Sequence, residues 1–152
     1  MSDREVNMFK YAEKCLYEYK RNIACLEILR EDLRTENNAT DVQAQTYDAP
    51  LNFTGNPSNP VQSRIIRIER LEERIKQLER YTQPVTQLIS DLNAPYVREG
   101  SPKAELYSLM ELYYFGQNST AIILAELHIS RQSLFNRRRE LVKMLMGYMG
   151  CV

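Results

Sequence analysis

The sequence has few of the residues on which catalytic and metal sites depend. It contains one histidine, His128, and no tryptophan. A single histidine excludes two-histidine metal sites, and it leaves a serine or cysteine nucleophile without its usual base. The three cysteines, Cys15, Cys25 and Cys151, form no CxxC pair, and no glycine-rich phosphate loop occurs. We therefore expect no catalytic residues, no metal, no cofactor and no small-molecule substrate.

Long apolar runs are missing as well. No run of 18 or more apolar residues occurs, so we expect no membrane span. The chain opens with Met-Ser-Asp-Arg-Glu, which lacks the apolar core of a signal peptide. These two absences favour a cytoplasmic protein.

The N-terminal segment has the apolar spacing of a helix. Over residues 1–36, apolar side chains recur at steps of three and four, without an interrupting proline or glycine (Phe9, Ala12, Leu16, Tyr19, Ile23, Leu26 and Leu33). Residues 37–60 lose this spacing and contain three of the six prolines and five asparagines. The pattern predicts an amphipathic helix over 1–36 and a linker or loop over 37–60.

Residues 61–92 carry a heptad repeat. The seam consists of Ile68, Leu71, Ile75, Leu78, Thr82, Val85, Ile89 and Leu92. β-Branched residues at one seam position and mostly leucine at the other favour a parallel two-stranded coiled coil, with Ile68, Leu71, Ile75 and Leu78 as dimerisation residues. The alternative is an intrachain hairpin, in which this helix folds back on the N-terminal one. Pro84 is expected to kink the helix.

The last third, residues 102–150, contains three helical runs in quick succession. Pro102 suits the first turn of one helix, and Ser119 or Thr120 can cap a second. His128 occupies a turn position that favours the left-handed conformation, and Ser130 can cap a third helix. A short helix, a three-residue turn and a capped basic helix are typical of a helix-turn-helix. The predicted fold class is therefore all-α, with long N-terminal helices and a C-terminal helix-turn-helix domain.

The charge distribution in this region favours a nucleic-acid partner, although the whole chain has a net charge of zero. Residues 98–152 carry seven lysines and arginines against five acidic residues, and no carboxylate lies between Glu126 and Glu140. We place Leu134, Phe135, Leu141, Val142 and Leu145 against the other helices. The outward side chains suited to base edges are Arg131, Gln132, Ser133, Asn136 and Arg137. Those suited to phosphates are Ser119, Thr120, Arg138, Arg139 and Lys143.

The segment LYSLMELYYFGQNSTAIILAELHISRQSLFNRRRELVKML resembles the C-terminal domain of the phage-encoded RinA/ArpU transcriptional regulators, which is similar to region four of bacterial sigma factors. The charged helix VQSRIIRIERLEERIKQLE fits the same layout. The resemblance implies activation of phage late genes by binding double-stranded promoter DNA in the host bacterial cytoplasm, with RNA polymerase as a further candidate partner.

Two other functions remain open from the sequence. A phage small terminase subunit also joins a helix-turn-helix to coiled helices, but it assembles into a ring. A protein-binding adaptor would direct the basic helix to an acidic protein surface instead of DNA. Oligomeric state distinguishes the first alternative from a regulator, and salt-dependent DNA binding distinguishes the second.

Overall fold

The computed structural model describes residues 1–45 and 60–150, with the side chains of 1–39 and 60–150. Helices account for 85% of the described residues, and no strand occurs among them. The all-α prediction is confirmed. The helices are α1 (Asp3–Gln45), α2 (Pro60–Leu92), α3 (Pro102–Leu109) with a π-helical continuation (Met110–Phe115), α4 (Thr120–Leu127) and α5 (Arg131–Tyr148). None of the helices in the described ranges is long and apolar enough to cross a membrane.

The two long helices differ from the predicted segments at their inner ends. Helix α1 continues to Gln45, whereas the sequence predicts its end near residue 36. Residues 37–45 contain no proline or glycine, so they can extend an established helix even though the apolar spacing has stopped. Helix α2 begins with Pro60 as its first residue and remains helical through Pro84. The rest of the predicted linker, residues 46–59, lies outside the described residues.

The chain divides into two compact units, and α1 and α2 contribute to both. In the unit formed by Ile23–Glu79, Ile75 and Leu78 of α2 are buried with Leu26 of α1. Three partly buried apolar residues of α1 pack against this cluster (Ile23, Leu29 and Leu33). The seam in this unit is therefore packed against the same chain, as in the hairpin alternative.

Charged side chains of this unit pair in the same way. Arg67 donates to Glu36 at 2.9 Å, and Arg30 donates to Glu79 at 3.1 Å. In a parallel coiled-coil dimer, the heptad positions would instead pair Arg67 with Glu72 and Arg74 with Glu79 of a second chain. Because the intrachain pairs are solvent-exposed, each contributes at most about 1 kcal/mol to stability. Dimerisation through Ile68, Leu71, Ile75 and Leu78 stays a prediction.

The other unit consists of Met1–Asn22 and the chain from Arg80 onward. Its buried apolar residues include some from the start of α1 (Ala12, Cys15, Leu16, Tyr19), the end of α2 (Val85, Leu88, Leu92) and the C-terminal half of α5 (Leu141, Val142, Leu145, Met146). The Tyr19 hydroxyl hydrogen-bonds with Thr86 Oγ1 at 2.9 Å, and its ring stacks on Phe115 with centroids 5.4 Å apart. Tyr19 therefore links α1 to α2 and to the π-helical segment.

The π-helical segment ends in a tight turn at Gly116. The Gly116 amide donates to the Glu111 carbonyl at 2.7 Å, and the Asn118 backbone and side-chain amides both donate to the Leu112 carbonyl. A Cβ on residue 116 would lie 2.7 Å from the Asn118 side chain and 3.0 Å from the Glu111 carbonyl. A residue larger than glycine would therefore require the Asn118 side chain and the Glu111 carbonyl to shift.

The two described cysteines lie in contrasting environments, which gives a direct test of the α1 packing. Burial raises the pKa of the Cys15 thiol to about 11, whereas Cys25 is exposed. Because the thiolate is the reactive species, iodoacetamide at pH 8 should modify Cys25 readily and Cys15 only after unfolding. Peptide mass spectrometry with and without guanidinium measures this. Equal modification of the two thiols in the folded protein would contradict the packing of α1.

Candidate nucleic-acid interface

A small apolar core joins α3, α4 and α5. Leu109, Ile123 and Leu134, one from each helix, are buried together. Partly buried apolar residues surround them (Leu112, Tyr113, Leu124, Leu127 and Ile129). Because Leu134 lies in the first turns of α5, this core determines which side of that half of the helix faces outward.

The turn between α4 and α5 has the conformation that the sequence predicts. His128 is left-handed, with φ 52° and ψ 45°, and its amide donates to the Leu124 carbonyl. Ile129 packs against the core, and Ser130 caps α5 by accepting from the Ser133 amide at 3.1 Å. Ser119, one of the two predicted candidates, caps α4 by accepting from the Ile122 amide at 3.4 Å. These contacts fix the arrangement of α4 and α5, which are joined by a short turn.

One face of α5 is polar and exposed. Gln132, Asn136, Arg139 and Lys143 are all exposed and, at 3.6 residues per turn, fall within about 60° of one another around the helix axis. The Gln132 side-chain amide donates to the Asn136 side-chain oxygen at 3.2 Å, which orients both groups. Asn136, Arg139 and Lys143 also line a cleft of about 650 Å³ together with Glu140 and Met144.

A second, smaller cleft lies where α5 meets the start of α4. It measures about 260 Å³ and brings the predicted residues Thr120, Arg131 and Arg138 together. Its other lining residues are aromatic or apolar (Tyr113, Leu134 and Phe135). Thr120 is the first residue of α4, so its hydroxyl and the nearby helix amides are placed beside Arg131. This combination of donors and a cation suits an anionic oxygen.

The arginine run 137–139 does not act as one basic patch. Arg137 pairs with Glu105 of α3 at 2.9 Å, and Arg138 pairs with Glu13 of α1. Arg139 is exposed and makes no ion pair with another described residue. Because a carboxylate already pairs with each of these guanidiniums, Arg137 and Arg138 are weaker candidates for the predicted DNA contacts than Arg139, and those contacts stay predictions.

Arg138 belongs to a partly buried polar cluster. Glu13 Oε1 accepts from Arg138 Nη2 and, at 2.9 Å, from the hydroxyl of the fully buried Tyr114. The Arg138 guanidinium also lies over the Tyr113 ring, 4.3 Å from its centroid. Burial lowers the pKa of Arg138, but the hydrogen bonds to Glu13 and Tyr114 outweigh it and hold the pKa above its ordinary value. This cluster attaches α5 to α1 and is structural in character.

The hydroxyls of two predicted serines make hydrogen bonds at the starts of helices. Ser119 caps α4, and the Ser133 hydroxyl accepts from the Ser130 hydroxyl at 3.1 Å. The predicted contacts that are exposed are Ser119, Thr120, Arg131, Gln132, Asn136, Arg139 and Lys143. Arg131, Arg139 and Lys143 make no ion pair with any other residue that the structure describes, so their charge is available to an anionic partner. Across the described ranges, no group of three metal-binding side chains occurs.

Phe135 is not in the core, contrary to the prediction. Its side chain is 56% exposed, whereas Val142, two turns later at nearly the same angle on α5, is fully buried. Apolar periodicity assigned both residues to one face. It carried no information on how far along α5 the neighbouring helices extend, so no sequence signal could have distinguished the two positions.

Comparison of the sequence and structure with protein-family models, with curated proteins and with solved structures found no match.

Proposed function

We propose that the protein binds double-stranded DNA in a sequence-specific manner through a helix-turn-helix formed by α4, the His128 turn and α5. In this proposal α5 enters the major groove, and its exposed N-terminal half meets the base edges. The observation that carries it is the outward face of α5, where Gln132, Asn136 and Arg139 are exposed while Leu134 and Leu141 on the opposite side are buried.

The chemistry of this face suits DNA in two respects. Glutamine and asparagine can make paired hydrogen bonds to adenine, and arginine and lysine can contact the phosphates. Residues 127–139 contain no carboxylate, so the first turns of α5 present no negative charge of their own to the phosphate backbone. Because Arg131 lines the smaller cleft together with Thr120, we assign Arg131 to phosphate instead of the base edges that its sequence position suggested, with the amides of α4 assisting.

A regulator of transcription is the function that we infer from this binding mode. The resemblance of the C-terminal segment to the RinA/ArpU regulators supports an activator of phage late genes that acts at promoter DNA. RNA polymerase is a natural second partner for such a protein. The remaining helices would then serve to position the DNA-binding domain.

The roles proposed for the side chains of α5 predict that their variants will affect DNA binding in two different ways. Replacing Gln132 or Asn136 with alanine should cost about 1–3 kcal/mol on the preferred duplex and relax base choice at one position. Replacing Arg139 or Lys143 should weaken binding to all duplexes alike and lower the slope of log K against log salt by about one unit each. Salt titrations on the duplex selected from a random pool, and on its scrambled version, measure both effects.

Because Gln132 and Asn136 hydrogen-bond to each other, the double variant should lose less than the sum of the single losses. Glu126→Gln, at an exposed position of α4, is the control and should leave base choice unchanged. If Gln132→Ala and Arg139→Ala alter the two duplexes in the same way, the division into base readers and phosphate contacts is wrong. If no duplex binds in a salt-dependent manner, the protein does not act through DNA.

A further inference from the structure

The exposed phenyl ring of Phe135 lies at the edge of the face that the proposed function assigns to DNA. Phe135 is the fifth residue of α5, and Leu134 beside it is buried at 5% exposure. A phenylalanine left in water forgoes a burial free energy of about 1.5–3 kcal/mol, so a ring that is 56% exposed has a large apolar area still available for contact. It makes no ring contact with another aromatic residue of the described chain.

The neighbours of Phe135 indicate what could cover it. One helical turn away on either side are Arg131 and Arg139, which are both exposed and without an ion pair to any described residue. Gln132, three residues earlier, is exposed as well. An apolar ring between two available arginines fits a surface that is anionic and has an apolar group within reach of its charges.

The major groove of DNA has this chemistry. Its rim consists of phosphates, and the 5-methyl group of thymine is the apolar group that base pairs expose in it. An acidic protein surface would also supply negative charge. However, it has no base edges to which the polar side chains beside Phe135 could hydrogen-bond. We propose, resting on the proposed function, that Phe135 is a specificity-determining residue that contacts the 5-methyl group of a thymine in the preferred site.

The test removes the methyl group and nothing else. The probe is the duplex that the wild-type protein selects from a random pool, with each thymine replaced in turn by deoxyuridine. Loss of one buried methyl group corresponds to about a three- to fivefold loss of affinity, and we expect this at one or two positions for the wild type. Phe135→Ala should bind the thymine and deoxyuridine duplexes equally at those positions, and Phe135→Leu should retain part of the discrimination.

Ile122→Ala is the matched control, because it removes another exposed apolar side chain, 49% exposed, from the preceding helix. It should discriminate as the wild type does. Thermal unfolding establishes that each variant is folded, and the exposure of Phe135 leads us to expect little change there.

Each other result overturns the proposal in a distinguishable way. A wild type that binds its selected duplex but is insensitive to every methyl group, or whose selected duplex contains no thymine, contradicts the role of Phe135 and leaves the proposed function standing. Discrimination of equal size in Phe135→Ala assigns the methyl contact to another residue. A random pool from which no duplex is enriched refutes the proposed function and this inference together.

Discussion

Arg138→Ala should destabilise the protein by about 2–4 kcal/mol, whereas Arg139→Ala should change its stability by less than about 0.5 kcal/mol. The two arginines are adjacent on α5 but differ in their surroundings. Arg138 is bound to Glu13 and lies over Tyr113, while Arg139 is exposed. Urea unfolding followed by circular dichroism measures both free energies of unfolding.

The size of the Arg138 effect follows from what its removal leaves behind. The side chains of Arg138 and Glu13 are 28% and 19% exposed, so the Glu13 carboxylate would remain largely out of water without its cation. Breaking a fully buried pair costs about 3–5 kcal/mol, and partial solvent screening reduces that figure here. The Tyr114 hydroxyl would still donate to Glu13, which limits the loss further.

A double-mutant cycle with Glu13→Gln isolates the pair. Because the two residues are in contact, the double variant should be more stable than the sum of the single effects predicts. Additive effects, or an Arg139→Ala variant as unstable as Arg138→Ala, would show that Arg138 does not attach α5 to α1. DNA binding should show the opposite ranking, with Arg139→Ala weakening binding and a folded Arg138→Ala variant retaining its salt dependence.

Leu78→Asp should cost about 4 kcal/mol or more and unfold the unit formed by Ile23–Glu79. The variant removes a side chain that is 4% exposed and packed with Leu26 and Ile75, and it places a carboxylate in the apolar cluster. Far-UV circular dichroism should report the loss of helix. Ile66→Asp is the matched control on the same helix, because Ile66 is 46% exposed and its replacement should cost about 1 kcal/mol or less.

Protein concentration separates the hairpin from a dimer. If the seam packs within one chain, the unfolding midpoint of the wild type should not depend on protein concentration, and sedimentation should give a monomer. If the seam joins two chains, the midpoint should rise with concentration. A wild type that dimerises, together with a Leu78→Asp variant that is folded but monomeric, would contradict the intrachain packing and confirm the coiled-coil prediction.

Local signals in the sequence were sufficient for the segments around the candidate site. Ser130 was predicted as a cap, and Ser119 as one of two candidates with Thr120, because a side-chain oxygen before a helix can accept from an amide in its first turn. The left-handed conformation of His128 follows from the three-residue turn, and the first residue of α3, Pro102, follows from its fixed φ. These features depend on residues within three or four positions of one another. A single sequence therefore contains all the information that they need.

Longer-range features depended on which surfaces meet. Arg138 pairs with Glu13, which lies 125 positions away along the chain. Nothing in the sequence of the Arg137–Arg139 run distinguishes the paired arginines from the exposed one. The heptad seam gave the buried side of α2 but not whether α1 or a second chain would cover it. Phe135 and Val142 lie at nearly the same angle around the axis of α5, yet only the Val142 side chain is buried. The sequence by itself determined where most of the helices begin, their caps and their apolar faces, since these depend on neighbouring residues. The tertiary structure decided which charges are neutralised and how far each apolar face is covered, because both depend on the side chains that the fold places opposite them.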